Sequence, residues 1–176
     1  MTGPLPRRIV FLIGFMGAGK TTVGKVLAQR LRWKFYDLDQ LIEIREQQSI
    51  AGIFATAGET VFRKIESAIL AELLAKNLSA GGAVVALGGG TFVQPQNRDA
   101  LQRAGATVVL LNAPIEELRR RCGDTKTRPL AGDRMKFEQL FASRQSAYAL
   151  AGLQIETAGK AVEQVAEEIE KLIEDL

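Results

Sequence analysis

With 176 residues, 47% of them apolar, the chain is long enough for one domain with a substantial buried core. No apolar run approaches the roughly eighteen residues that cross a bilayer, and the formal net charge of +3 is scattered, without the basic stripe typical of nucleic-acid binding. One cysteine and no histidine exclude an internal disulfide and a histidine–cysteine metal cluster, so any general base must be a carboxylate, lysine, tyrosine or cysteine.

The apolar pattern divides the chain into alternating strand-like and helical segments. The first apolar stretch, residues 9–15, runs into glycines without a signal-peptide cleavage site, so we expect a buried strand and a cytoplasmic protein. The strand-like segments are residues 8–14, 34–36, 83–87, 107–111 and, more weakly, 153–156. The helical segments are residues 20–31, 38–47, 60–76, 96–104, 115–121, 135–150 and 162–174. Three strands are continuous apolar runs, typical of a parallel sheet covered on both faces, and the alternation predicts a doubly wound α/β fold in one domain, residues 1–176.

Two segments interrupt this alternation. Residues 122–133 are polar, rich in Gly, Thr, Asp and Arg, and contain Pro129. A polar loop of that length in a compact domain favours a functional role. Residues 37–66 insert two further helical pieces, around residues 49–58, which predicts a small extra lobe.

A nucleotide-binding motif follows the first predicted strand. Residues 14–21, hereafter the phosphate loop, read Gly-Phe-Met-Gly-Ala-Gly-Lys-Thr and match G-x-x-x-x-G-K-[ST], with a strand before and a helix after. A chance match in such a chain is on the order of one in a hundred. Backbone amides at the helix N-terminus would hold the phosphates, Lys20 would reach the β and γ phosphates, and the Thr21 hydroxyl would ligate Mg²⁺. The predicted nucleotide-binding residues of this region are Gly17, Ala18, Gly19, Lys20, Thr21 and Thr22.

Two aspartates after the second strand are the candidate partners of the metal and the acceptor. The sequence has no N-K-x-D, the motif by which GTPase switches read guanine. Motor and transport ATPases usually end a later apolar strand in a carboxylate that helps to hold Mg²⁺, but the strand at residues 83–87 ends in Gly88-Gly89-Gly90 with no acid. Asp37 and Asp39 lie at the carboxyl end of a strand, where open α/β sheets bind ligands. One of the two carboxylates can face the metal-bound water while the other meets an acceptor hydroxyl, and Asp37 is the candidate metal ligand. In the alternative interpretation, one of the two merely caps the following helix.

The order of the short motifs resembles that of the shikimate kinases. After the phosphate loop come Asp37-Leu38-Asp39, Gly58-Glu59, Phe62-Arg63-Lys64-Ile65-Glu66, Gly88-Gly89-Gly90, Arg128-Pro129-Leu130, and Arg144 followed by Tyr148. The resemblance implies the nucleoside monophosphate kinase-like fold of P-loop NTPases: a three-layer, five-stranded parallel sheet with a substrate-binding lobe (residues 37–66) and a lid (residues 122–133). It also implies ATP-dependent phosphorylation of the 3-hydroxyl of shikimate to shikimate 3-phosphate, a step of aromatic amino-acid biosynthesis through chorismate.

The resemblance implies roles for four residues at the acceptor end of the site. Arg63 and Arg144 are expected to hold the shikimate carboxylate, because a guanidinium group pairs with a carboxylate bidentately. Asp39 is expected to accept hydrogen bonds from the acceptor hydroxyls and to act as the base, and Glu66 to orient Arg63. Taken alone, Arg63 would read as an exposed i,i+3 partner of Glu66, and Arg144 as part of a solvated helix face.

Four further residues are expected to shape the acceptor site. By resemblance, Gly89 and Gly90 offer backbone amides where a side chain would block the approach, although a flexible connector is the alternative. Phe54 and Phe62 match apolar wall positions of the family site. A core role for both phenylalanines stays open on the sequence alone.

The nucleotide end is completed, by resemblance, by residues of the lid and of its flanks. Arg128 precedes a proline, which disfavours helical geometry, and would neutralise charge on the transferred phosphoryl group together with Lys20. Arg121 matches a family position that lies over the adenine. The adenine loop is expected around residues 157–160, where no sharp motif occurs.

Two rival functions remain open at this point. One is another small-molecule kinase of the same fold, such as a gluconate kinase, for which the arginine pair and the glycine triplet have no special reason to occur. The other is a catalytically silent ATP-binding module, which would be expected to lose Asp39 or Arg128. The favoured interpretation expects the small molecules ATP and shikimate as partners, with Mg²⁺, a monomer, and no nucleic acid or membrane.

Overall fold

The computed structural model describes residues 9–75, 81–123 and 133–174. These residues form five strands and seven helices. The strands are β1 (Ile9–Ile13), β2 (Lys34–Asp37), β3 (Ala83–Ala86), β4 (Thr107–Asn112) and β5 (Leu153–Glu156). The helices are α1 (Lys20–Leu31), α2 (Leu38–Glu46), α3 (Ile50–Ala75), α4 (Pro95–Arg103), α5 (Ile115–Cys122), α6 (Arg134–Tyr148) and α7 (Val162–Glu174). Among the described helices, none has the length and apolar character that a bilayer crossing requires.

All five strands join one parallel sheet in the order β2-β3-β1-β4-β5. Every residue of β1 and β3 is buried, because helices cover both faces of the sheet. This burial explains why the two strands read as continuous apolar runs in the sequence. The predicted three-layer α/β fold with a five-stranded parallel sheet is confirmed.

The strand order places the ends of three strands beside one another. β1 lies between β3 and β4, so the chain moves to one side of β1 for β2 and β3 and to the other side for β4 and β5. Crevices form at the carboxyl ends of the strands where the order reverses in this way. The phosphate loop follows β1, Asp37 ends β2, and residues 88–90, hereafter the glycine loop, follow β3.

The predicted lobe of residues 37–66 contains α2 and the first part of α3. We predicted a helix over residues 60–76 preceded by separate helical pieces, and the structure instead joins them into α3 with a break at Gly58. Gly58 has φ 79° and ψ 171°, a backbone conformation that residues with a Cβ rarely adopt. The glycine therefore lets the chain change direction between the lobe and the long helix that carries Phe62, Arg63 and Glu66.

The predicted lid falls almost entirely outside the described part of the chain. Arg128, Pro129 and Leu130 belong to residues 124–132, which the structure does not describe. The described flanks are the end of α5, at Cys122, and the start of α6, at Arg134. The expectation for Arg128 therefore stays a prediction.

Candidate active site

A cavity of about 1030 Å³ opens where the phosphate loop, the end of β2 and the glycine loop meet. Within the described residues, every predicted site residue lines this cavity, and only Arg128 lies outside the described ranges. The predicted residues that line it are Gly17, Ala18, Gly19, Lys20, Thr21, Thr22, Asp37, Asp39, Phe54, Phe62, Arg63, Glu66, Gly89, Gly90, Arg121 and Arg144. These residues come from segments that are far apart in the chain, so the fold brings them together.

The phosphate loop ends at the exposed N-terminus of α1. Gly19 is the N-cap and makes no side-chain capping bond, so the backbone amides of the first turn remain available to an anion. The first turn of α1 contains no acidic residue that would repel a phosphate. The Lys20 ammonium donates hydrogen bonds to the carbonyl oxygens of Gly14 (2.7 Å) and Phe15 (3.2 Å), which holds it over the loop.

Asp37 links the phosphate loop to the second strand. The Thr21 hydroxyl donates to Asp37 Oδ2 at 2.7 Å, and Asp37 Oδ1 accepts from the amides of Asp39 (3.1 Å) and Gln40 (3.4 Å). Asp37 therefore caps α2 and also meets the predicted metal ligand Thr21. The alternative interpretation, in which one of the two aspartates caps the helix, is therefore correct for Asp37. The carboxylate of Asp39 is not the capping group.

The Thr21–Asp37 pair fits a magnesium ion by the chemistry of its donors. Hydroxyl and carboxylate oxygens are hard ligands, and Mg²⁺ commonly takes one or two protein ligands together with waters and substrate phosphates. In the part of the chain that the structure describes, no group of three or more His, Cys, Asp or Glu side chains forms a self-sufficient metal site. Bound phosphate and waters would supply the remaining ligands of the ion.

The Asp39 carboxyl group has a strongly perturbed pKa. Burial among protein atoms, followed by the negative charge of Asp37, raises the pKa of Asp39 from 3.8 to about 6, against the opposing effect of Lys20. Glu66 and Glu43 add smaller effects in the same upward direction. The residue remains exposed to solvent through the cavity, so a ligand can reach it. A carboxylate with a pKa near the working pH is suited to accept a proton from a reacting hydroxyl.

The glycine loop lies against three of the predicted site side chains. A Cβ added to Gly88 would lie 2.8 Å from Asp39 Oδ1, one on Gly89 2.7 Å from Arg144 Nη1, and one on Gly90 2.5 Å from Arg63 Nη2. Each distance is shorter than real Cβ contacts allow, so larger residues would displace these groups. The loop thus brings a carboxylate and two guanidinium groups to one wall of the cavity.

Arg63 is held between one buried and one exposed carboxylate. Its Nη1 donates to Glu66 Oε2 at 2.9 Å, while its Nε and Nη2 donate to Glu59 Oε1 at 3.3 and 3.2 Å. The side chain of Glu66 is only 1% exposed, so this i,i+3 pair is not the exposed surface pair of the alternative interpretation. Arg63 also lies over the Phe62 ring, with its Cζ 5.1 Å from the ring centroid.

Arg144 reaches the site from α6 and packs on the phosphate loop. Its Cζ lies 5.4 Å from the centroid of Phe15, whose ring makes edge contacts with Phe137 and Phe141. One turn later, the Tyr148 hydroxyl donates to the Gly89 carbonyl oxygen at 2.6 Å. Burial raises the pKa of Tyr148 to about 12, with Arg144 opposing the shift, so the hydroxyl stays a donor at neutral pH. Arg144 is therefore partly buried and does not belong to a solvated helix face.

The two predicted wall phenylalanines stack at the lobe side of the cavity. The ring centroids of Phe54 and Phe62 are 4.7 Å apart. Phe62 is 4% exposed and belongs to the core, whereas Phe54 is 37% exposed. Both line the cavity, so Phe62 combines the core and wall roles that the sequence left open.

The opposite end of the cavity is formed by α5 and the turn after β5. Arg121 donates from Nη1 to Thr157 Oγ1 and from Nη2 to the Thr157 carbonyl oxygen, both at 2.9 Å, and from Nε to Glu117. Gly159 and Lys160 line the same end. The segment at residues 157–160, which has no sharp motif, thus lies beside Arg121, where the adenine is expected.

Two residues with site contacts carried no sequence signal of such a role. Thr91 is fully buried and donates to Glu66 Oε1 at 2.6 Å, yet its only mark in the sequence is its position after three glycines. Phe15 supports Arg144, but within the phosphate-loop pattern its position accepts any residue.

These contacts place phosphate-binding and acceptor-binding chemistry at the same edge of one parallel sheet. A loop of amides and a lysine faces a carboxylate of raised pKa, and two guanidinium groups line the same cavity. The fold and the site together define a P-loop kinase that phosphorylates a small molecule.

Comparison with known proteins narrows this class to one family. The family model for shikimate kinase matches residues 16–174, and the chain belongs to the shikimate kinase family. A curated shikimate kinase of Geobacter sulfurreducens is 43% identical over 99% of this chain and 96% of that protein. The family, the fold class and the predicted enzyme class are thereby confirmed.

Solved structures agree with this assignment. A shikimate kinase from Acinetobacter baumannii, determined in complex with shikimate, superposes with a TM-score of 0.86 and is 36% identical, covering 96% of this chain and 94% of that chain. A shikimate kinase from Aquifex aeolicus has a TM-score of 0.82 and 34% identity, covering 94% of this chain and 96% of that chain. The likeness therefore extends over nearly the whole length of both structures.

Proposed function

We propose that this chain transfers the γ-phosphoryl group of ATP to the 3-hydroxyl of shikimate, with Mg²⁺. One observation carries the proposal: Asp39, Arg63 and Arg144 all approach the glycine loop, beside the phosphate loop that holds Lys20. A small hydroxy acid needs a cationic partner for its carboxylate and an acceptor for its hydroxyl proton, and both lie on one wall of a cavity shared with the nucleotide.

The acceptor acid is bound through its carboxylate and its hydroxyl groups. Arg63 and Arg144 pair with the carboxylate, and each guanidinium is already positioned by protein contacts before the ligand arrives. Asp39 accepts a hydrogen bond from the reacting hydroxyl and takes its proton as the oxygen attacks the γ phosphorus. With a pKa of about 6, Asp39 is mainly ionised at neutral pH and ready to accept that proton.

The nucleotide is held by the phosphate loop and by two oxygen ligands. The amides of Gly17, Gly19 and their neighbours receive the phosphates, and Lys20 stabilises the charge that develops on the transferred group. Thr21 and Asp37 would hold Mg²⁺. The ion, when bound, would neutralise phosphate charge and help to orient the transferred group.

The remaining parts of the proposal rest on the family resemblance. Arg128 would close over the phosphates and add positive charge, and it lies outside the described residues. Arg121 would lie over the adenine, which is consistent with its place at the far end of the cavity. We also propose that the protein works as a monomer in the cytoplasm, which sedimentation analysis and cell fractionation would test.

Release of ADP in the presence of different acceptors tests the proposal. The protein is mixed with ATP and with shikimate, gluconate or no acceptor, with and without Mg²⁺. We expect shikimate- and Mg²⁺-dependent release of ADP and a phosphorylated product whose position is assigned by NMR. Turnover with gluconate but not with shikimate would indicate a different small-molecule kinase. Binding of ATP without turnover of either acid would indicate a silent nucleotide-binding module.

A further inference from the structure

Thr91 is the buried residue that follows the glycine loop in the chain, and it contacts the buried side of the acceptor site. The residue is 0% exposed, and its hydroxyl donates to Glu66 Oε1 at 2.6 Å. Glu66 is itself 1% exposed, so neither group can exchange this hydrogen bond for one to bulk water. A buried bond to a carboxylate is among the stronger hydrogen bonds in a protein, and its loss leaves the partner unsatisfied.

The two oxygens of Glu66 are engaged by different partners. Oε1 accepts from Thr91, and Oε2 accepts from Arg63 Nη1 at 2.9 Å. The terminal torsion of a glutamate is soft, so a single contact would leave the plane of the carboxylate free to rotate. With both oxygens held, the carboxylate presents Oε2 to Arg63 in one orientation.

The Thr91 hydroxyl lies near a second carboxylate but serves only the first. A Cβ added to Gly88 would lie 2.8 Å from Asp39 Oδ1, 3.0 Å from Thr91 Oγ1 and 3.2 Å from Glu66 Oε1, so all three oxygens surround one point. A threonine hydroxyl carries one proton, and Thr91 donates it to Glu66. The Thr91 proton is therefore directed to Glu66 and not to Asp39.

The position of the Thr91 hydroxyl is itself fixed by the backbone. The Thr91 amide donates to the Gly88 carbonyl oxygen at 3.1 Å, and the Thr91 carbonyl oxygen accepts from Asn97 Nδ2 at 3.0 Å. Asn97 belongs to α4 and is 2% exposed. The chain of contacts from Asn97 through Thr91 and Glu66 ends on the guanidinium of Arg63.

We propose that Thr91 is a positioning residue for the acceptor acid: by holding Glu66, it fixes the Arg63 guanidinium to which the carboxylate of the acid binds. The inference rests on the proposed function, because it takes Arg63 to be the carboxylate ligand. Its consequence is specific to one substrate, since the hydrogen bonds of Thr91 to other described residues lead to Glu66, to the glycine loop and to the start of α4, and not to the phosphate loop or the adenine end.

Two substitutions separate the hydroxyl from the shape of the side chain. Thr91→Val keeps the branched shape and removes the donor, whereas Thr91→Ser keeps the donor and removes a methyl group. We expect Thr91→Val to raise the KM for shikimate about tenfold, because the orphaned Glu66 no longer orients Arg63, while the KM for ATP stays within about twofold. We expect Thr91→Ser to stay close to the wild-type KM for shikimate. Steady-state kinetics and calorimetric titration with shikimate alone measure these effects.

A double substitution covers the case in which Thr91→Val folds poorly. Because Thr91 acts through Glu66, adding Thr91→Ala to Glu66→Gln should raise the shikimate KM by a smaller factor than Thr91→Ala does in the wild type. Fully additive effects would overturn the inference. So would a folded Thr91→Val enzyme with an unchanged shikimate KM, or an equal rise of both KM values. A wild-type protein without shikimate-dependent ADP release would instead refute the proposed function itself.

Discussion

Replacing Asp39 by asparagine removes one negative charge from the acceptor site while keeping the size of the side chain. Asparagine cannot take the proton of the reacting hydroxyl, and general-base contributions are typically about a hundredfold to ten-thousandfold. We therefore expect Asp39→Asn to lower kcat with shikimate by at least about a hundredfold. Binding of ADP should stay within about twofold, because the phosphates are held by the loop that ends at Lys20.

The same substitution should not destabilise the protein at neutral pH. The pKa of Asp39 is raised in the folded state, so the protonated carboxyl group favours folding. This contribution to stability is fully present below the unfolded-state pKa near 3.8 and is lost as the pH rises through the folded-state pKa of about 6. If the Asp39 carboxyl group were fully enclosed by protein, this pKa shift would correspond to about 3 kcal/mol in the free energy of unfolding. Solvent in the cavity screens the exposed residue and reduces the value to on the order of 1 kcal/mol.

Thermal unfolding and kinetics together check the Asp39 prediction. At pH 7.5, Asp39→Asn should have a Tm equal to or a few degrees above that of the wild type, since about 1 kcal/mol corresponds to about 2–4 °C for a domain of this size. This difference in Tm between Asp39→Asn and the wild type should shrink as the pH is lowered toward 4.5. Asp99→Asn on the exposed side of α4 serves as the matched control and should leave both activity and Tm unchanged. Near-wild-type turnover by Asp39→Asn would refute the reasoning, and so would a Tm deficit that grows with pH.

Three further predictions address the titration and geometry of the site. The wild-type kcat/KM for shikimate should fall as the pH drops below about 6, because protonated Asp39 cannot accept the hydroxyl proton; a flat profile from pH 5 to 8 would contradict this. Arg63→Ala should raise the KM for shikimate at least about tenfold and the KM for ATP much less, whereas Arg45→Ala, which breaks an exposed pair with Glu72, should change neither. Equal effects of Arg63→Ala on both substrates would exclude its proposed role. Gly90→Ala places a methyl group 2.5 Å from Arg63 Nη2, so calorimetry should show weaker shikimate binding with nucleotide binding retained, and unchanged binding of both would contradict the close approach.

Much of the fold followed from local sequence patterns. Continuous apolar runs predicted β1 and β3 as buried strands, and both are buried throughout. The start of α1 at Lys20 and its end at Leu31 were predicted from the motif and the apolar period. The course of α3 was predicted less well, because Gly58 interrupts the helical geometry without ending the helix, and a glycine in a sequence does not reveal its φ.

The candidate site was predictable where a motif carries its own geometry. The phosphate loop is such a case, since its glycines and its lysine act within one short segment. The aspartates after β2 were not resolved in this way. Either one could cap α2 on the sequence alone. The structure gives that bond to Asp37, whose other carboxylate oxygen accepts from Thr21 on a different element. No local motif predicted the role of Thr91, and residues 157–160 were expected at the adenine only through the family resemblance, because the partners Glu66 and Arg121 are distant in the chain.

The amino-acid sequence by itself determined which segments are strands and helices, where phosphate binds, and which carboxylates and guanidinium groups are available. The carboxyl ends of parallel strands share one edge of a sheet, so the alternation of elements placed the phosphate loop, Asp39 and the glycine loop at that edge. The strand order β2-β3-β1, which makes them neighbours, came from the tertiary structure. The tertiary structure alone decided which oxygen meets which donor, and hence that Asp37 both caps α2 and accepts a hydrogen bond from Thr21. The reason is physical: hydrogen bonds and pKa shifts act over a few ångströms and depend on packing between elements, which no local pattern encodes.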